Sequence, residues 1–442
     1  MVADSEQETL VHVGPGTAMG VYLRLFWIPF LVSDDVEVDG PPKRIKLLGE
    51  NLVAFRDSSG AVGLVQEACA HRQASLAFGR NEECGLRCVY HGWKYDLTGQ
   101  CVDMPNEGPS SNFAKQIKIT AYPCRERNGL IWTFMGLEAN PPKLPNLESN
   151  LVPEGHRFYS ARVQRCNWLQ AIEGALDPSH GPFLHSKLSY EDDKVFRPAD
   201  KIRQTNKQPV VSAIVNDSGV SVVSRREVAG DDANYYWRVN QFMFPFFTLV
   251  PPNQNFFVGH AWVPMDDEHT MVLTFTFDPI KEFREDQFAE WRHGAADGGD
   301  MLHLSAASRR ADMEGAPYSW AWPKHNASNN YLIDWEAQKT TYFSGLPGAI
   351  MQDLALVESM GPIVDRRRDN LGAADLGIVR VRTALAKEAQ KFAQEGIVPA
   401  AASNPDAVAI RSMALMLPRD SDFRVAFNKH SHERGDVSYA VP

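Results

Sequence analysis

The chain has 442 residues, 44% hydrophobic and 23% charged, with a net charge of −10 and a pI near 5.7. That length exceeds one ordinary hydrophobic core and sets an expectation of two domains. The acidic balance argues against broad nucleic-acid binding, which needs a basic face, and six cysteines in so long a chain are too few for a disulfide scaffold.

Residues 1–40 read as an N-terminal segment. Its first six residues carry Asp4 and Glu6 and lack the positive region of a secretory signal. Residues 21–32 are apolar and aromatic, but they include Arg24 and fall short of the ~20 residues of a membrane span. A cytoplasmic protein without a membrane segment is expected. The glycines between Val13 and Gly20 are interrupted by Pro15, which favours a turn over a nucleotide loop.

Residues 41–140 read as a small all-β module, with short strands at 44–49, 52–55, 62–65, 88–90 and 129–134. Asp57 to Gly60 and Thr98-Gly99 supply hairpin turns. Inside it stand Cys69-Ala70-His71 and, sixteen residues on, Cys88-Val89-Tyr90-His91, a C-x-H…C-x-x-H pattern. Zinc fingers keep cysteines with cysteines and histidines with histidines, whereas each pair here is mixed. Two loops that each offer one cysteine and one histidine suit a Rieske two-iron, two-sulfur centre, with thiolates on one iron and neutral imidazoles on the other. Losing two thiolate charges favours reduction by roughly 250 mV, about 6 kcal/mol for one electron, over an all-cysteine cluster. Cys69, His71, Cys88 and His91 are therefore the expected cluster ligands, with a structural zinc site as the alternative. Cys84, Cys101, Cys124 and Cys166 read as reduced and structural.

Pro141, Pro142 and Pro145 stiffen a linker over 141–155, and 156–442 form the second domain. A helical pattern runs from Asn167 to His185; strands follow at 210–215, 220–223, 235–239, 255–263 and 271–277 and suggest an antiparallel sheet. Helical patterns return at 286–292, 353–364 and 379–393, and the stretch after Pro399 has no clear pattern. Arg366-Arg367-Arg368, flanked by Asp365 and Asp369, reads as a solvated helix surface. The fold class is α+β.

In the second domain, Asp177-x-x-His180-x₄-His185 offers two histidines and carboxylates nearby. Two histidines and one carboxylate on one face of an iron leave the other positions open for oxygen and substrate chemistry. Asp353 is the chosen third ligand, and Glu358 is its rival. Asp177 can accept the ring N–H of His180 and fix the ring's direction; the plainer role is a helix cap before Pro178. Asn167, Gln170 and Glu173 share a helix side and either support this junction or face solvent. The aromatic run from Tyr235 to Phe247, with Phe256 and Phe257, reads mainly as sheet core. Arg238 within it suits a bidentate pair with a substrate carboxylate, or with an Asp or Glu of the protein. Ser179 and His260 are further pocket candidates.

Together with residues 13–20, 81–96 and 361–366, these motifs resemble the oxygenase component of Rieske non-haem iron oxygenases, in the style of the phthalate-dioxygenase group, over nearly the whole chain. The resemblance implies an N-terminal all-β Rieske domain and a C-terminal catalytic domain whose antiparallel sheet is packed by helices in a helix-grip-like manner. It implies that His180, His185 and Asp353 bind a mononuclear Fe(II) that works on O₂, and that Asp177 bridges iron ligands of neighbouring subunits in a homotrimer. No G-x-G-x-x-G follows a strand and no second cysteine set is present, so a separate reductase or ferredoxin must supply the electrons. The expected activity is hydroxylation, or oxidative N- or O-dealkylation, of a small aromatic compound. Ring cis-dihydroxylation of an aromatic carboxylate such as a phthalate is the alternative. A Rieske electron carrier and a zinc-stabilised binding module are rivals of another class.

Overall fold

The structure is a computed structural model and describes residues 4–108, 111–138, 140–188, 198–252, 256–294 and 302–432. Helices α1 (Asp4–Val11) and α2 (Ala18–Leu23) flank a turn at Gly14 to Gly16, and Thr17 caps α2 by accepting the Gly20 N–H. Strand β1 (Trp27–Val32) follows. Then come β2 (Lys43–Leu47), β3 (Glu50–Arg56), β4 (Val62–Gln66), β5 (Arg80–Glu82), β6 (Gly85–Arg87), β7 (Lys94–Tyr95), β8 (Cys101–Asp103), β9 (Ala121–Tyr122), β10 (Cys124–Arg127) and β11 (Leu130–Phe134). They form three antiparallel sheets, ordered β2-β3-β4-β9, β5-β6-β7-β8 and β1-β11-β10.

Both expected hairpin turns are closed by an aspartate. Asp57 Oδ1 accepts the N–H groups of Ser59 and Ala61, and Asp96 Oδ1 those of Thr98 and Gln100. Residues 88–90, expected as a strand, form a turn instead. Strand β6 ends at Arg87, Gly92 at φ +79° donates its N–H to the Cys88 carbonyl, and Cys88 and His91 share one tight loop. The proline-rich segment is held in place, with Trp27 Nε1 donating to the Pro142 carbonyl and Arg127 to that of Pro145.

The second half begins with β12 (Arg157–Gln164), α3 (Trp168–Leu176), α4 (Gly181–Leu184) and α5 (Pro198–Thr205). Strands β13 (Val210–Asn216), β14 (Gly219–Val228), β15 (Asp231–Met243), β16 (Phe247–Val250), β17 (Phe257–Pro264) and β18 (Thr270–Phe277) follow. The chain continues through α6 (Glu285–His293), α7 (Trp335–Thr340), α8 (Ala349–Ser359), α9 (Leu376–Glu395), α10 (Ala400–Ser403), β19 (Met413–Pro418) and α11 (Phe423–His432). The sheet is antiparallel, ordered β12-β18-β17-β16-β15-β14-β13, with β19 paired to β15. Helix α3 packs on β15, β16 and β17, and α9 on β13 and β14, which is the expected α+β, helix-grip-like arrangement. Asn255, the expected start of the fourth strand, lies outside the described residues. The helical pattern over 167–185 is broken at Asp177-Pro178 into α3 and α4 because proline disfavours helical backbone in the residue before it.

Strand alternation gives the large sheet two unlike faces. Tyr159, Ala161, Val163, Ala261, Val263, Leu273 and Phe275 join one apolar core with Ile28, Phe30 and Trp132 of the β1-β11-β10 sheet. The opposite face carries Ser160, Arg162, Gln164, His260 and Thr274, in register across β12, β18 and β17. A separate small core surrounds Cys69, Cys88, Trp93 and Tyr95. All six cysteines are free; Cys101, Cys124 and Cys166 are buried or half-buried as expected of structural thiols, but Cys84 is exposed on the β5–β6 turn. Among the described residues no helix is long and apolar enough to cross a membrane.

The arginine triplet departs from the solvated helix expected of it. Residues 366–368 form a single 3-10 turn in which Arg366 is 1% exposed and donates from Nε to Glu173 Oε1 at 3.0 Å. Arg382 adds two bonds to the same carboxylate, at 2.8 and 2.9 Å. Arg367, which pairs with Asp365, and Arg368 are exposed as expected. Burial raises the Glu173 carboxyl, but the two guanidiniums outweigh it and hold the group below its ordinary value. Replacing one partner of such a buried set strands the others, so Glu173→Gln is expected to cost about 3–5 kcal/mol, read as a lowered denaturant midpoint. A change under about 1 kcal/mol would show that the cluster contributes little.

Candidate metal centres and substrate cavity

Two loops of similar build converge at one edge of the small β module. In the first, Cys69 N–H donates to the Ala74 carbonyl and Gln73 N–H to that of Cys69; in the second, Cys88 N–H donates to Trp93 and Gly92 N–H to Cys88. They bring His71 Nδ1 and His91 Nδ1 to 3.1 Å, at half-buried positions, while Cys69 and Cys88 are buried. Trp93 stacks on His71 with 4.6 Å between ring centres and is itself fixed by Nε1 donating to Asn106. Tyr95 Oη lies 3.2 Å from Cys69 Sγ. Two adjacent imidazole nitrogens with two buried thiols fit the donor set of a Rieske cluster.

The second group is built by the interrupted helix. Asp177 ends α3, accepts the Ser179 N–H and hydroxyl on Oδ1 at 2.7 and 2.6 Å, and sets Oδ2 3.3 Å from His180 Nδ1. Helix α4 brings His185 back so that the two Nε2 atoms are 3.0 Å apart. Asp353, in the second turn of α8, places Oδ1 3.3 Å from His185 Nε2 and 3.7 Å from His180 Nε2. His185 Nδ1 lies 2.8 Å from Gln352 Oε1, and Gln352 Nε2 donates to Leu346. Each far ring nitrogen thus has an acceptor, which aims Nε2 at the common point. Ligands about 2.1 Å from a metal and at right angles stand about 3 Å apart, so the set fits an ion held by two histidines and one carboxylate with open positions. Burial raises the Asp353 carboxyl, but His185 beside it holds the group below its ordinary value. Glu358, the rival ligand, is turned elsewhere: its oxygens accept from the Arg165 N–H at 2.9 Å and the Tyr331 hydroxyl at 3.0 Å.

A cavity of about 220 Å³ opens on this group, and its walls include Arg162, Gln164, Arg203, Arg238, His260 and Trp262. Arg238 is buried and donates to Tyr236 Oη and the Pro251 carbonyl. Arg203, from α5, reaches the same cavity and pairs with Asp200. His260 is held neutral, because burial and then Arg162 push its pKa well below the ordinary value. Ser179 is not among the lining residues, since its hydroxyl is spent on Asp177. Most of the aromatic run is core as expected: Trp237 stacks on Phe423, Phe257 on Phe277, and Phe256 packs with Phe283 and Trp291. Sequence reading missed Arg162, Arg203 and Trp262. The alternation of Ser160, Arg162 and Gln164 with apolar residues was the available sign of a strand with a polar inner face.

Residues 133–440 match the family described as LigXa C-terminal domain like, and residues 26–123 match the Rieske 2Fe-2S domain. The 3-chlorobenzoate-3,4-dioxygenase oxygenase subunit of Comamonas testosteroni is 36% identical over 97% of this chain and 98% of its own. The phthalate 4,5-dioxygenase oxygenase subunit of Pseudomonas putida is 34% identical over 86% and 85%. The crystal structure of dicamba monooxygenase bound to dicamba shares the fold, with a TM-score of 0.56 at 17% identity over 84% of this chain and 99% of that one. The chain belongs to the Rieske non-haem iron oxygenases, as an oxygenase (alpha) subunit. It is the cluster-bearing oxygenase component of a multicomponent system, which sets aside the zinc module and the simple electron carrier.

Metal analysis separates the two carboxylates. Anaerobically purified protein is expected to hold about three irons per chain, and Asp353→Ala about two with the sulfide retained. Glu358→Gln should keep all three, and loss of the extra iron in that variant instead would reverse the assignment.

Proposed function

We propose that this chain is the terminal oxygenase for a small aromatic carboxylate. In this reading Cys69, His71, Cys88 and His91 hold the cluster in a domain spanning roughly 41–140, and His180, His185 and Asp353 hold a mononuclear Fe(II) in the domain over 156–442. The observation that carries the substrate class is the buried guanidinium of Arg238, with Arg203 nearby, in the cavity that the His180, His185 and Asp353 side chains also line. The two relatives above, named for a chlorobenzoate and a phthalate, support it and favour ring oxygenation over dealkylation.

When bound, the cluster supplies electrons and the mononuclear iron activates O₂, with a separate reductase or ferredoxin as the electron source. The protein's part is placement. Arg238 takes the carboxylate as a forked donor, and the apolar side chains of Val258, Trp262 and Ile350 exclude water around the ring. A substrate fixed at one end presents the same ring carbons to the metal side on every turnover. Asp177 orients His180 and, in a homotrimer, is the residue able to reach a cluster histidine of a neighbouring subunit.

The test is NADH- and O₂-dependent turnover with a surrogate reductase on benzoate, chlorobenzoates and phthalate. Arg238→Met is expected to lower kcat/KM for the acids by on the order of 100-fold, as losing a charged hydrogen-bonded pair predicts, while the corresponding amides lose far less. Equal losses on acids and amides, or no turnover of any aromatic acid by the wild type, would overturn the reading. Asp177→Asn should keep both metal centres yet slow product formation at least tenfold with little change in KM, and full turnover in that variant would remove Asp177 from the electron route.

A further inference from the structure

The polar face of the large sheet has a second cationic pole. Arg162 stands on β12 and Arg238 on β15, four steps apart in the order β12-β18-β17-β16-β15, which is about 19 Å along the sheet at roughly 4.8 Å per step. Arg162 is 4% exposed. Among the described residues its only hydrogen-bond partner is Thr274 Oγ1, which accepts from Nη1 at 2.6 Å, and its guanidinium lies over the Trp262 ring at 5.7 Å. Among the described residues its Nε has no partner and no carboxylate forms an ion pair with it. Asp353 attracts it through space, but that carboxylate faces the two histidines. Burial lowers the Arg162 pKa only to about 10, so the group is a cation at neutral pH.

Its neighbours on the same wall are equally unsatisfied. Among the described residues Gln164, two residues along the same face of β12, has no partner for Oε1, and His260 none for Nδ1. Three polar side chains lining one cavity, each with a buried nitrogen or oxygen that has no partner among the described residues, are an uncommon and costly arrangement. A group brought in by the ligand relieves it.

We infer that Arg162, flanked by Gln164 and His260, forms a second polar subsite that receives an oxygen-bearing ring substituent, a hydroxyl or a second carboxylate, meta or para to the carboxylate at Arg238. The inference rests on the aromatic-carboxylate reading above and adds the substitution pattern. Arg162 donates only, whereas the amide of Gln164 and the neutral ring of His260 can each donate or accept, so a hydroxyl finds partners for its proton and its lone pairs. A second carboxylate finds donors from all three. Chlorine or methyl leaves the buried groups unpaired, which is the situation in which sites discriminate most strongly. An ortho substituent stays beside the carboxylate at Arg238 and cannot reach the other end of the sheet.

The experiment is calorimetric titration of the anaerobic holoprotein with benzoate and its 2-, 3- and 4-hydroxy, carboxy, chloro and methyl derivatives. The wild type is expected to bind the best 3- or 4-oxygenated ligand at least tenfold more tightly than the chloro or methyl analogue at that position, with no such gain at position 2. In Arg162→Met and in Gln164→Leu that ratio should fall towards one, with part of it kept in Arg162→Lys. If benzoate binds but oxygenated and chlorinated analogues bind alike in the wild type, the second subsite is overturned while the carboxylate reading stands. If no benzoate binds, both fail. If Arg162→Met weakens every ligand equally, Arg162 is a wall residue and the inference is overturned. Should that variant not fold, the wild-type series and Gln164→Leu decide.

Discussion

Pro178 disfavours helical backbone in the residue before it, and Asp177 accordingly leaves α3 in an extended conformation, at φ −64° and ψ 121°. That single break turns a continuous helical pattern into a helix, a carboxylate and a one-turn helix, and so lets His180 and His185 face each other. The break would be loose if α3 could shift. It is fixed by three buried polar side chains on the helix. Asn167 donates to the Val11 and Asp267 carbonyls, Gln170 donates to Gly361 and accepts from Val364, and Glu173 holds Arg366 and Arg382. The ties reach Val11, Asp267 and residues 361 to 382, so the geometry of His180 and His185 is set by long-range packing even though they are close in sequence.

The large sheet supplies the other half of the site. Period-two alternation commits one face to the apolar core shared with the β1-β11-β10 sheet, and a one-residue slip of β12 would drive Arg162 and Gln164 into that core. Register is therefore strongly enforced from the back of the sheet. The front face is free to carry polar groups because it opens on a cavity. His303 shows how such a group is made neutral and harmless: Ser160 and Thr276 hydroxyls occupy both ring nitrogens at 2.8 Å, and burial followed by Arg162 lowers its pKa to about 3. Arg162, Gln164 and His260 lack that compensation on the same face, which is what distinguishes a binding wall from a packed one.

Legibility in the sequence followed the range of the interactions. The two cysteine–histidine pairs and the Asp177-His180-His185 run are local and can be picked out by their spacing, but the turn at 88–90 reads as a strand in the sequence and the break at Asp177-Pro178 as part of one helical pattern. Asp353 lies 168 positions beyond His185 and is singled out by its place near the start of an expected helix and then by the resemblance, with Glu358 open beside it; the Arg165 N–H and the Tyr331 hydroxyl occupy the Glu358 carboxylate. Strand β12, with two arginines and a glutamine in eight residues, carries the polar–apolar alternation of a strand, but alternation alone does not tell a polar side that faces a cavity from one that faces water. Strand β16 is four residues long, and β19 is an apolar run whose partner β15 lies far back in the chain. Arg366 was misread because charge runs usually face solvent, and nothing near it in sequence announces Glu173.

Both candidate metal-binding groups share one construction rule. A short loop or helix end supplies a pair of donors at near-contact distance, 3.1 Å for His71 and His91 and 3.0 Å for His180 and His185. With Asp177 and Gln352 accepting at their far nitrogens, the Nε2 atoms of His180 and His185 present lone pairs to each other, and such convergence is unfavourable until a cation shares them. The surrounding bonds hold the pairs together regardless: Trp93 packs behind one, while Asp177 and Gln352 sit at the far nitrogens of the other. Folding thus does the work of pre-organisation, and in the proposed reading part of the free energy of metal binding would be relief of this repulsion. The Asp353 carboxylate, arriving on α8 from 168 positions beyond His185, would make the proposed second centre depend on the tertiary fold being complete before a metal could be held.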